Sequence, residues 1–326
     1  VDGHELNVSC SVGIAVYPDD GVQLDELMRR ADAAMYEAKA TGRDMARFYS
    51  EETDQRALAR QSVEHHLRKA LDRGELSLHF QPRVDAATLA LVGAEALLRW
   101  DSVALGSVPP AEFIAVAEET GLIKPIGAWV LEQACAAWVG WQTLAAGDEG
   151  HPLHRCQVSV NISASQLADP ELVPFLQALI ARTGMCPQCL ELEITESQLM
   201  DNAVAAQAQM AALKALGVSL AIDDFGTGYS SLAYLKKFPI TTLKIDRSFV
   251  TGIPQQNDDC AIARAIVTMG QQMRQEIVAE GVETREQMAF LRDLGCDQLQ
   301  GYLFSKPLEA ADYARWVRDD VRLALT

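Results

Sequence analysis

The chain has 326 residues, 49% of them hydrophobic, and a formal net charge of −17 with a pI near 4.7. That length allows about two domains, or a single barrel of roughly 250 residues with an appendage. Such acidity argues against a nonspecific binder of nucleic-acid polymers, which needs Lys and Arg to displace counterions, and it requires any anionic substrate to be handled by metal ions or a few placed cations.

Residues 6–17 alternate as a strand, and Pro18-Asp19-Asp20-Gly21 reads as a turn. Leu24, Leu27, Met28, Ala31 and Met35 have helical spacing, with Gly42 as a stop. One strand and one helix cannot enclose a core, so residues 1–50 are expected to be the tail of a domain whose beginning is missing. Residues 51–73 read as a charged connector helix with one docked face (Leu58, Val63, Leu67, Ala70, Leu71), ending at Gly74.

From residue 74 to 326 strands and helices alternate. Strands are predicted at 77–84, 90–98, 157–162, 190–195, 218–223, 241–246, 276–281 and 298–303. Helical stretches fall at 111–120, 125–144, 165–183, 203–216, 230–238, 260–273, 284–294 and 309–323, and Gly121, Gly217 and Gly295 sit where helices should stop. This rhythm predicts an α/β fold of the TIM-like (β/α)8 barrel type. Only Asp85 to Leu89 separate the first two strands, whereas a parallel crossover needs about a dozen residues. The first strand is therefore predicted to run antiparallel, as half of a hairpin.

In such barrels active sites gather at the C-terminal ends of the strands. Those ends carry Glu95 and Arg99, Asn161, Glu193 with Glu196, Asp223-Asp224, Lys244 with Asp246, Glu280 with Glu283, and Gln300. Burying several carboxylates together is costly unless cations neutralise them, and one lysine and one arginine are too few. Divalent metals supply the missing charge. Carboxylates with one amide oxygen form a hard-oxygen set suited to Mg²⁺ or Mn²⁺, and two ions sharing Asp223 could clamp a phosphodiester. Lys244 could orient the attacking water or help deprotonate it. Asp223 and Asp224 can both serve only if the chain turns at Asp224, and Phe225-Gly226-Thr227-Gly228 supplies a turning loop.

No secretory signal opens the chain and no apolar run spans a bilayer; the longest, 128–141, is broken by Glu132 and Gln133. Seven scattered cysteines fit reduced thiols in a cytoplasmic protein. Cys186-Pro187-Gln188-Cys189 is a lone CxxC. With His151, His154 and Cys156 elsewhere it reads better as loop and core cysteines than as a zinc site. Trp129, Trp138 and Trp141 read as core or interface rather than as a platform for bases.

These residues form a recognisable series. Glu95-Ala96-Leu97, within 92–100, resembles the namesake motif of the EAL-domain phosphodiesterases. It is accompanied, in the family's order, by Phe80-Gln81-Pro82, Val160-Asn161-Ile162-Ser163, the 192–197 and 223–232 segments, Leu243-Lys244-Ile245-Asp246, the 279–283 segment and Gln300-Gly301-Tyr302. The resemblance runs from about residue 60 to 320. It implies a barrel with an antiparallel first strand and metal-dependent hydrolysis of cyclic di-GMP to linear pGpG. It implies Glu95, Asn161, Glu193, Asp223 and Asp224 as metal ligands, Glu280 on a metal or its water, and Lys244 on the nucleophilic water. Glu196, with Glu283, would support the loops, Glu196 bracing the one after the fifth strand. Gln81, Leu97, Arg99, Asp246, Gln300, Tyr302 and Pro307 would line the nucleotide site. Members often dimerise, so a homodimer is expected. The chain departs from the family at Ser102-Val103, where a His-Pro pair is common, and at Arg83, where a hydrophobic residue is commoner.

Residues 8–18 and 30–39, then Gly42-Arg43, resemble the C-terminal end of a GGDEF diguanylate cyclase domain. The GGDEF motif is absent, so this part is expected to lack cyclase activity and to be a piece of a longer protein. If the missing part carries a membrane anchor, the barrel would lie at the cytoplasmic face. The competing readings are a degenerate domain that only binds cyclic di-GMP or a protein partner, and a metal-dependent enolising barrel. Degenerate members should have lost a ligand, and no ligand type is lost here.

Overall fold

The computed structural model describes residues 10–40, 44–148, 150–201, 203–227 and 235–319. They fall into two compact units, one within 1–73 and 102–120, the other within 74–101 and 121–326. The first unit opens with strand β1 (Val12–Ile14), helix α1 (Leu24–Ala40), strand β2 (Ala46–Phe48) and helix α2 (Glu51–Leu67). β1 and β2 pair in parallel, α1 packs beside them, with Gly13 against the backbone of Ala31 and Met35, and Ala33, Ala34 and Ala38 are buried. The second strand was not expected: it has only three residues, all of them exposed. The sparse apolar face of α2 buries Val63 and Leu67. Tyr17, Val22, Met28, Tyr36 and Phe48 stay exposed.

The second unit begins with β3 (Leu76–Asp85) and β4 (Leu91–Ser102). They form the antiparallel hairpin that the short connection requires, paired from Leu76 opposite Trp100 to Val84 opposite Leu91. Asp85 holds the turn by accepting from the N–H groups of Ala87 and Thr88. Residues 102–120 belong to the first unit, with β5 (Gly106–Val108) and α3 (Pro110–Thr120), which buries Phe113, Val116 and Ala117.

The barrel continues with α4 (Ile123–Ala145), β6 (Gln157–Asn161), α5 (Ala164–Leu167), α6 (Leu172–Thr183), β7 (Leu190–Thr195), α7 (Glu196–Asp201), α8 (Ala203–Ala215) and β8 (Ser219–Phe225). It closes with β9 (Thr242–Ile245), α9 (Arg247–Thr251), α10 (Asn257–Gln272), β10 (Glu276–Ala279), α11 (Arg285–Leu294), β11 (Gln298–Gln300), β12 (Leu308–Glu309) and α12 (Ala310–Arg318). Most of the helix predicted at 230–238, and the end of the last one, lie outside the described residues. The stretch 165–183 is two helices rather than one, because Ser163 caps the short α5 in a capping box that ends before Pro170.

The strand order β3-β11-β10-β9-β8-β7-β6-β4 returns to β3, which closes an eight-stranded TIM-like barrel. β3 runs antiparallel to both β4 and β11, while the other neighbours pair in parallel. Most of the parallel strands alternate apolar with polar residues, so that the apolar set lies under the helices and the polar set lines the barrel interior. Leu190, Leu192, Ile194, Leu220, Ile222, Leu243, Ile245, Ile277 and Leu299 are all buried. Trp141 stacks on Tyr313 at 4.6 Å and meets Phe80 edge-on at 4.9 Å, and Tyr313 Oη donates to Gly93 O, so α4 and α12 anchor the hairpin. Trp138 and Trp141 are buried, as core tryptophans should be. Among the described residues no helix is long and apolar enough to cross a membrane.

Candidate active site

Alternation along each strand sends every second side chain into the barrel, and at the C-terminal mouth those positions are acidic. β4 contributes Glu95, β6 ends on Asn161, β7 carries Glu193, β8 carries Asp223, β9 carries Lys244, and Glu280 follows β10. Lys244 is fully buried. Its Nζ lies 2.5 Å from Glu280 Oε1, 2.6 Å from Glu193 Oε2, 3.1 Å from Asp223 Oδ1 and 3.8 Å from Glu95 Oε2. Asn161 Nδ2 donates to Glu95 Oε1 at 2.7 Å, and Gln300 Nε2 donates to Glu95 Oε2 at 2.5 Å and to Gln81 Oε1 at 3.2 Å. Residues far apart in the chain are thus brought into one cluster.

The chain does turn at Asp224, where φ is +53°, and the β8–β9 ladder slips between Ile222 and Phe225. Asp224 accordingly stays beside Asp223 instead of pointing to the opposite face, with a carboxylate oxygen within 4.8 Å of those of Asp223 and Glu280. Glu196, the first residue of α7, accepts the Gly226 N–H at 2.8 Å and so ties down the start of the loop after β8. Asp246 also caps α9 by accepting from Ser248 N–H.

One buried ammonium cannot balance this many carboxylates, and the imbalance raises several of them above the usual carboxylate range. Burial, with Glu95 and Asp223 nearby, holds the Glu193 carboxyl well above the usual carboxylate range. Burial pushes Glu280 up to about 8, with Asp223 and Glu95 adding to it. Burial and then Asp223 and Asp246 push Asp224 up to about 6. Burial also raises Glu95, but Lys244 and the bonds from Gln300 and Asn161 outweigh it and leave this carboxyl below its ordinary value. For Lys244 burial favours the neutral amine, yet Asp223, Glu193, Glu280 and Glu95 together hold the ammonium charged.

The donor set fits a divalent metal. Oxygens of Glu95, Glu193 and Asp223 form one group, and those of Asp223, Asp224 and Glu280 another, with all atoms of each group within 4.8 Å of one another. Glu193 Oε1 is buried without a hydrogen bond. Oxygen ligands alone suit hard cations.

A cavity of about 220 Å³ opens beside the cluster, lined by Gln81, Glu95, Leu97, Glu280, Glu283, Gln300 and Tyr302, together with Arg247, Gly281 and Gly301. Arg99, Asp246 and Pro307 are not in that lining; Arg99 donates to the neighbouring Leu98 carbonyl. Sequence reasoning missed Arg247, whose only local signal is its place after Asp246. It also did not join the cation at position 83 to Glu191 at the barrel floor. There Arg83, 1% exposed, donates to Glu191 Oε1 at 2.6 Å and to Gln157 Oε1 at 2.8 Å, while Ser159 and Thr242 complete the bonding of Glu191. Arg83 also lies 3.6 Å from Glu193 Oε1, directly linking floor and mouth. The shared face of Glu191 and Glu193, and a cation at a normally apolar position, were the available signals.

Residues 64–307 match the EAL domain, and residues 1–45 match the diguanylate cyclase, GGDEF domain. The chain is 44% identical over 310 residues to the bifunctional diguanylate cyclase/cyclic di-GMP phosphodiesterase MucR of Pseudomonas aeruginosa, covering 95% of this chain and 44% of that protein. It is 42% identical over 318 residues to the cyclic di-GMP phosphodiesterase NbdA of the same organism, covering 98% of this chain and 40% of the relative. The chain therefore spans less than half the length of these curated relatives. The solved MucR phosphodiesterase, in complex with c-di-GMP, superposes with a TM-score of 0.72 at 44% identity, over 77% of this chain and 99% of that one. With its closed barrel, its acidic mouth and these matches, the chain belongs to the EAL domain family, preceded by a short GGDEF remnant.

Proposed function

We propose that the chain is a phosphodiesterase that hydrolyses cyclic di-GMP to linear pGpG. The observation that carries this reading is the pair of carboxylate groups that share Asp223 beside one buried ammonium. Glu95, Asn161, Glu193 and Asp223 would hold one cation, and Asp223, Asp224 and Glu280 a second. Mg²⁺ or Mn²⁺ bound there supplies positive charge and Lewis acidity at the phosphoryl oxygens.

The chain's own side chains do the rest. Lys244 stays charged, so it serves as a donor that orients the attacking water rather than as its base. Glu280, 2.5 Å from Lys244 and pushed up to about 8 without a cation, would give up its proton on holding the second metal. Glu196 keeps the Asp223–Asp224 turn in place through Gly226. Gln81, Leu97, Gln300 and Tyr302 line the adjoining cavity and would receive the nucleotide, while Glu283 supports its rim. Arg99, Asp246 and Pro307 keep their nucleotide assignment from the family motif alone. Water adds to phosphorus, the bond from phosphorus to one 3′ oxygen breaks, and that oxygen leaves as a hydroxyl. The reading includes a homodimer and a cytoplasmic location.

Purified protein with Mg²⁺ or Mn²⁺ is expected to convert cyclic di-GMP to pGpG, read by chromatography. Ca²⁺, with longer and looser coordination, is expected to support turnover poorly. Binding without turnover in any metal would favour a receptor instead.

A further inference from the structure

The cavity beside the cluster is lined by Glu95, Glu280 and Glu283, yet it would have to admit a substrate carrying two phosphodiester anions. One phosphate goes to the carboxylate cluster, where cations meet it. The second must find positive charge elsewhere, since three carboxylates would otherwise repel it. Among the residues lining this cavity, Arg247 is the only Lys or Arg. It opens α9 directly after Asp246, is exposed, and among the described residues its guanidinium has no hydrogen bond or ion pair. Its base is pinned in place. Gly281, one residue past Glu280, has φ +67°, and a Cβ there would come within 2.5 Å of Arg247 Cβ. Only glycine lets the two backbones approach this closely. Lys244, three residues earlier, reaches into the cluster from within the barrel, whereas Arg247 stands at the rim.

We propose that Arg247 is a substrate-binding residue that holds the second, unreacting phosphate of the cyclic dinucleotide and thereby selects a two-phosphate ring over a single phosphodiester. The proposal rests on the phosphodiesterase reading above. A guanidinium offers paired donors to phosphate oxygens, and a charge-assisted bond of this kind changes affinity by about tenfold or more.

The test compares wild type, Arg247→Gln and Arg247→Lys with Mn²⁺ on cyclic di-GMP and on bis(4-nitrophenyl) phosphate, which has one phosphodiester only. Arg247→Gln is expected to raise KM for cyclic di-GMP about tenfold or more while kcat changes less than about twofold. Its rate on bis(4-nitrophenyl) phosphate should match wild type, and Arg247→Lys should recover much of the KM. Because Arg247 is exposed, the variants are expected to keep the wild-type melting midpoint. An unchanged KM for cyclic di-GMP, or an equal loss on both substrates, would overturn the assignment. A wild type that turns over neither substrate would instead overturn the phosphodiesterase reading, and this assignment with it.

Discussion

Lys244 and Glu95 sit in the same cluster but should respond oppositely to substitution. Lys244→Met leaves Asp223 and Glu280 without their countercharge and Glu193 with only Arg83 at 3.6 Å. Removing one partner of a buried ion pair costs about 3–5 kcal/mol, so the metal-free variant is expected to lose that order of stability in urea, and to regain part of it with Mn²⁺. Glu95→Gln keeps the side chain's size and relieves the cluster of one negative charge, and one of the two amides that donate to it, Asn161 or Gln300, must turn over to meet the new N–H. Its turnover should fall about a hundredfold or more while its urea midpoint stays near wild type. The raised carboxyls set a pH dependence of definite sign. Asp224, about 6 when folded, and Glu280, about 8, both bind protons more tightly than in the unfolded chain. Their contribution is complete below the ordinary carboxylate range and is lost as pH rises through those values. The melting temperature of metal-free protein should therefore decline across roughly pH 5–8. Bound Mn²⁺ displaces those protons, so its stabilising shift should grow over the same window. A flat metal-free profile would count against the buried cluster.

At the scale of elements, the loop after β8 couples backbone geometry to chemistry. Asp224 is a non-glycine residue at positive φ, and it stays there because Thr227 and Glu196 hold the chain on its far side. Glu196→Gln weakens the acceptor for the Gly226 N–H without opening a cavity. It is expected to lower turnover about tenfold to a hundredfold, as outer-shell losses do, with the fold intact by circular dichroism and weaker Mn²⁺ affinity. Unchanged turnover and metal affinity would remove the loop from the mechanism. The hairpin illustrates the same coupling at the opposite extreme. A five-residue connection forces β3 antiparallel, and that reversal puts Gln81 directly across from Glu95.

For the whole molecule, legibility followed sequence distance. The barrel could be read because most strands carry their own apolar alternation and the long helices their own period, and the hairpin because a short connection has only one geometry. The acidic mouth was legible because strand ends are marked locally, by Glu95, Asn161, Glu193, Asp223, Lys244 and Glu280. What escaped was short or distant. α7 and α9 span 6 and 5 residues, too few to show a period. The Arg83–Glu191 pair joins residues 108 apart, and the meeting of Arg247 with Gly281 depends on how β9 and β10 end, not on any local pattern. The chain is acidic, which argued against binding nucleic-acid polymers, and six of its carboxylates meet where a small anionic substrate would enter with its cations. The most direct test is a calorimetric titration of metal-free wild type and Asp223→Asn with Mn²⁺. Because Asp223 belongs to both carboxylate groups, wild type is expected to take up Mn²⁺ and the variant to lose that uptake; no Mn²⁺ bound by wild type, or equal binding by both, would contradict a metal centre built on this mouth.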